Sequence, residues 1–217
     1  MNRFTLIELL VVIAIIGILV TILLPSLTKA RYKTKMAVCR ANLSQCSKAL
    51  AIYTKNSKGR FPDASPNNIG ATQSGWIGNT KNGGVRGQLN EYLGDDDNYQ
   101  VKGALCPDDE VDNTSDWAFK RLGSSYCGNI WSAGGTRGLN GIFYTEVIEP
   151  VKTWTLGGQA FNYFKQGVEG RLPEGLRFHR VLNRQKFPAV FVDGSGKVVT
   201  PRNGVLVADD FRHTWKN

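Results

Sequence analysis

Histidine and methionine are scarce in this 217-residue chain, with two of each. The two histidines and four cysteines form no cluster at the spacing a zinc site needs, so neither a structural nor a catalytic metal centre is expected. Cys106-Pro107-Asp108-Asp109 lacks the second thiol of a CxxC redox pair. No Lys-Ser or Lys-Thr follows Gly83-Gly84 or Gly134-Gly135, which removes a phosphate-binding loop. Acidic residues are missing altogether from residues 26–62, where nine basic residues stand. Residues 1–25 hold one Arg and one Glu, and from Asp63 onward 17 basic residues balance 17 acidic ones. The formal charge of +9 therefore sits on one segment directly behind the N-terminal apolar run. A mean hydropathy of −0.24 with five Trp, seven Tyr and ten Phe excludes both a polytopic membrane protein and a disordered chain. Twenty-four Gly and eight Pro suit a loop-rich, short-stranded fold better than a helical bundle.

In residues 9–24 only Gly17 and Thr21 interrupt the apolar character. Counted from Phe4 the run is 21 residues, roughly 31 Å as a helix and long enough for a bilayer core of about 30 Å. A cleavable secretory signal fits badly, because the basic start is short, the core is long, and Pro25-Ser26-Leu27 is a poor cleavage site. Glu8 is the anomaly: an ionised carboxylate in hydrocarbon costs on the order of 3 kcal/mol. It either snorkels to the headgroups from the helix end or awaits a cation from a neighbouring subunit.

RFTLIELLVVIAIIGIL, residues 3–19, resembles the N-terminus of type IV pilins and type II secretion pseudopilins. The resemblance implies a leader of residues 1–3, removed by a prepilin peptidase between Arg3 and Phe4. It implies N-methylation of the new amine on Phe4, and Glu8 as the assembly residue that pairs with a neighbour's N-terminus. It also gives Gly17 and Pro25 a role as the ends of a stretch that bends or unwinds when subunits pack, since glycine weakens a helix and proline removes a backbone donor.

Beyond Pro25, Tyr32, Met36, Cys39, Leu43, Cys46, Leu50 and Tyr53 follow one another at alternating steps of four and three, one stripe of a helix. No Gly or Pro interrupts residues 26–58. The pattern predicts one helix from Phe4 to about Lys55, bent near Pro25. Its first half is apolar all round and its second half carries a single seam for a head. The basic face reads as solvated, as a contact for lipid headgroups, or as a phosphate contact; without aromatic interleaving, nucleic acid is not expected as a partner. Nine basic residues after the span predict a cytoplasmic C-terminus by charge bias. The more specific N-terminal motif implies the opposite, a head outside the cytoplasm, and takes precedence.

After Gly59 short apolar runs alternate with Gly, Asn, Asp and Pro. Residues 124–131, 153–156, 189–192 and 197–200 read as strands, the last two joined by a hairpin at Asp193-Gly194-Ser195-Gly196, and residues 87–93 as a short helix. Local motifs here resemble large pilin-like families of Planctomycetes and Lentisphaerae: Cys39 with Asn42-Leu43 and Gln45, Cys106-Pro107-Asp108, Ser125-Tyr126 with Asn129, and Arg177-Phe178-His179 leading to Phe191-Val192-Asp193-Gly194. Cys39 and Cys46 lie about 10 Å apart on one helix, too far for a disulfide. Two pairings stay open, Cys39 with Cys106 and Cys46 with Cys127, or Cys39 with Cys127 and Cys46 with Cys106. Either suits an exported head. Calcium, bound by some major pseudopilins, has candidate positions in Asp95-Asp96-Asp97 and Asp108-Asp109-Glu110. Both lack the alternating ligand spacing and read as solvated turns, so no cofactor is expected.

The sequence thus predicts an α+β chain: leader 1–3, transmembrane helix 4–24, amphipathic half 25–58 and globular head 59–217 with an antiparallel sheet. The resemblance implies a non-enzymatic, single-pass subunit of the cytoplasmic membrane. Its partners would be a prepilin peptidase, other pilin-like subunits, an assembly platform with its ATPase, and membrane lipids. Two alternatives stand beside it. One is an anchored binding module for a glycan or other surface ligand, with Trp76, Trp117, Trp131 and Trp154 lining a groove. The other is an anchored hydrolase, needing His179 or His213 beside a carboxylate.

Overall fold

The computed structural model describes residues 5–63, 76–78, 86–109, 119–129, 138–158, 180–181 and 184–200. One helix, α1 (Leu6–Asn56), dominates it. Helical assignment is continuous through Pro25, and the start falls two residues later than predicted because Thr5 caps the helix. At the far end Lys58 and Gly59 take positive φ of 54° and 84°, and the Gly59 amide donates to the Thr54 carbonyl. That left-handed step stops the helix and turns the chain back along the head.

The seam predicted on the second half of α1 carries the core. Met36, Cys39, Leu43, Cys46, Ala49 and Leu50 are buried, while Tyr32 and Tyr53, the ends of the stripe, are half-buried. They pack on a four-stranded antiparallel sheet of order β1 (Tyr126–Gly128), β2 (Trp154–Gly158), β5 (Phe187–Phe191), β6 (Gly196–Val199). A two-stranded ribbon, β3 (Arg180–Val181) with β4 (Arg184–Gln185), stands apart from that sheet. Two short helices, α2 (Asn90–Leu93) and α3 (Phe119–Leu122), complete the α+β architecture.

Each predicted strand region overlaps an observed strand, with ends displaced by one to three residues. The β5–β6 hairpin turns where the glycines stand: Gly194 has φ +83°, and the Asp193 side chain accepts from the Ser195 amide and hydroxyl. Phe187 and Phe191 are buried on β5, the strand facing α1. A register shift between Trp154 and Leu156 lets the Thr155 hydroxyl donate to the Val190 carbonyl. Trp76 and Trp154 are fully buried. Trp76 stacks on Phe61 at 5.9 Å and lies so close to β1 that any Cβ on Gly128 would overlap its indole. Full burial of such rings contributes about 2–3 kcal/mol each.

Candidate functional site

The first half of α1 is exposed on every side. Its large apolar residues, from Leu6, 85% exposed, to Leu27, 46%, are all exposed. An 18-residue window reaches a mean hydropathy of 3.1 with none of it buried, so this is a helix long and apolar enough to cross a membrane. Its hydroxyls are already satisfied. Thr21 donates to the Ile18 carbonyl, Ser26 to Leu23 and Thr28 to Leu24. Such internal bonds keep unpaired polar groups out of hydrocarbon. A Cβ at Gly17 would meet nothing within 4 Å, so packing within the single chain does not demand glycine there.

Glu8 is not bare. It occupies the third helical position, where its carboxylate accepts from the Thr5 amide at 2.8 Å and the Thr5 hydroxyl at 2.7 Å, while the Glu8 amide donates back to Thr5 Oγ1 at 3.3 Å. This reciprocal capping box satisfies two orphan donors and sets the carboxylate at the positive end of the helix dipole. Sequence reasoning missed it, although Thr-x-x-Glu ahead of an apolar run is its pattern. Arg3 and Phe4, the expected cleavage and methylation positions, lie outside the described residues.

A second set of groups ties the head to α1 at midlength. Cys39 forms a disulfide with Cys106, with a Cα separation of 5.2 Å. One turn to either side, Lys35 Nζ pairs with Asp108 at 3.1 Å and the Asn42 amide donates to the Leu105 carbonyl at 2.7 Å. The Tyr126 hydroxyl donates to the Cys39 carbonyl at 3.1 Å. Behind them the Ser125 hydroxyl accepts from the Cys106 amide and donates to buried Asp109, which also accepts from the Phe119 amide. Three of the motifs noted above thus meet in one clasp. Asn129 stands next to it on β1's trailing edge, donating to the Trp154 carbonyl.

The second disulfide is a correction. Cys46 and Cys127 are buried thiols, and Cys127 Sγ faces the Gly158 carbonyl at 3.6 Å across the β1–β2 ladder. Neither pairing open to the sequence therefore closes twice: the Cys106 turn reaches Cys39, while Cys127 is held in the sheet. Burial pushes the Cys46 thiol up to about 12, leaving it protonated and unreactive.

The features that would favour binding or hydrolysis come out differently. Trp76 and Trp154 are core residues, so they line no groove; Trp117 and Trp131, like His179 and His213, lie outside the described residues. Two open hollows of about 380 Å³ flank α1, one beside Arg40, Ser44 and Lys197, the other beside Leu50, Phe61 and Tyr144. Among the described residues, neither is lined by a carboxylate, histidine or cysteine.

Asp108 and Asp109 belong to the clasp, and the run at Asp95-Asp96 serves local structure. Asp95 takes a bidentate pair from Arg86, with both contacts at 2.7 Å, and a bond from Asn90. Asp96 folds back onto the amides of Asn98 and Gln100. Glu110 is outside the described residues, and among those described no three His, Cys, Asp or Glu could hold a metal. No protein-family model, no curated protein and no solved structure matches the chain.

Proposed function

We propose that this chain is a pilin-like subunit, held in the cytoplasmic membrane by its N-terminal helix with the head outside and assembled with other such subunits through that helix. The observation that carries the reading is the division of α1: an all-round exposed apolar half runs unbroken into a half whose seam is clasped by the head. A surface of that kind is stable only against lipid or against other apolar helices. The resemblance of residues 3–19 supplies the rest. Glu8 would exchange its internal cap for the amine of a neighbour, Gly17 and Pro25 would yield on packing, and a peptidase would cut before Phe4. The role is mechanical, without chemistry or cofactor, and the partners are the peptidase, sibling subunits and an assembly platform with its ATPase.

Intact mass and N-terminal sequencing of the protein from native membranes test this. The expected product begins at a methylated Phe4, despite Arg3 where the family usually has glycine. A retained leader of residues 1–3 would overturn it and leave a permanent anchor.

A further inference from the structure

We propose that Lys29, Arg31 and Lys33 form a collar that binds the anionic phospholipid headgroups surrounding the outer end of the span. The inference rests on the membrane reading above. Residues 6–27 would cover roughly 33 Å at 1.5 Å per residue, so Lys29 emerges within about 3 Å of the hydrocarbon edge. The three cations follow within five residues, all exposed, and none has an ion-pair partner among the described residues. Lys35, next in line, is occupied by Asp108.

Their arrangement identifies the partner. At about 100° per residue, Lys33 lies about 40° and Arg31 about 200° around the axis from Lys29, so the charge faces opposite sides of the helix. A protein or nucleic acid docks from one side, whereas a headgroup layer encloses the helix completely. The remaining helix cations, Arg40, Lys48 and Lys55, begin about 20 Å beyond Leu27, outside a Debye length of 8–10 Å from the membrane surface. No acidic side chain between residues 26 and 62 offsets the collar. Each cation near an anionic surface favours it about fivefold, so three acting together favour it on the order of a hundredfold at low salt. The collar would fix the depth of the helix and resist its withdrawal from the bilayer.

The full chain, with a fluorophore on Thr28→Cys, is reconstituted in phosphatidylcholine vesicles containing spin-labelled phosphatidylglycerol or spin-labelled phosphatidylcholine. Phosphatidylglycerol is expected to quench at about one-fifth the mole fraction that phosphatidylcholine requires, the preference of one cation for one headgroup. That preference should vanish in 0.5 M salt, with a Debye length of about 4 Å, and in Lys29→Gln/Arg31→Gln/Lys33→Gln. Equal quenching by the two lipids, or a preference that survives in the triple variant, overturns the collar. So does triple-variant-sensitive binding of a DNA duplex without headgroup preference. Flotation after alkaline carbonate separates the two readings: a chain that floats without preference refutes only the collar, and a chain that does not float refutes the span as well.

Discussion

Reducing the Cys39–Cys106 bond tests how the head is held to α1. The disulfide closes a loop with a sequence separation of 67. By the chain-entropy relation such a loop withholds about 15 cal/mol/K from the unfolded ensemble, or about 4.4 kcal/mol at 25 °C. The neighbouring Lys35–Asp108 pair, partly exposed, adds at most about 1 kcal/mol and does not replace it. Reduction is cleaner than substitution, since it leaves no cavity at two fully buried positions. The assay is urea unfolding of the full chain in detergent micelles, with and without a phosphine reductant, followed by the fluorescence of buried Trp76 and Trp154 among the five tryptophans. With a slope of about 2 kcal/mol per M, the midpoint should fall by about 2 M. Alkylation in denaturant should label two thiols before reduction and four after. A midpoint shift below about 0.3 M, or four thiols without reductant, would refute the entropic account.

Other outcomes follow from the packing. Gly128→Ala drives a methyl into the Trp76 indole and should cost about 1–3 kcal/mol in the same unfolding assay. Asn90→Ala leaves the buried Gly78 amide and carbonyl without the Asn90 side chain and should cost about 3 kcal/mol. Hydrogen bonds from Arg86 hold the Asp95 carboxyl at about 2, below its ordinary 3.8, so its stabilisation is complete above pH 4 and lost as the pH falls toward 2. The gap in urea midpoint between wild type and Arg86→Gln, present at pH 6, should therefore close by about pH 2. With its thiol at about 12 and buried, Cys46 should resist iodoacetamide at pH 8.5 in the folded chain and react within minutes in urea.

What could be read beforehand was periodic. The four-three spacing on α1 located Met36, Cys39, Leu43, Cys46 and Leu50 in the core because a helix repeats its face regardless of what packs there. Apolar runs bounded by glycine marked the β5–β6 hairpin for the same reason. Long-range choices left no such trace. Whether Cys106 meets Cys39 depends on where a turn after residue 104 lands, and Cys127 gives no local sign that it will face Gly158. Whether Trp76 lines a groove or joins the core is open in the sequence, because nothing in its neighbours records that Phe61 and Gly128 will enclose it. The Thr5–Glu8 cap is written in the Thr-x-x-Glu spacing, which makes Glu8 part of the helix start as well as a charge in an apolar run.

The position of the disulfide also governs what happens when the chain is pulled. Tension applied to the N-terminal half of α1 passes from Cys39 directly into Cys106 and onward to the sheet. Everything between them, including the last turns of α1, lies off the load path. On the order of 200 Å of contour is thereby withheld from extension. Under force the oxidised head can lengthen only through the chain beyond Cys106, whereas the reduced head can pay out the hidden loop as well.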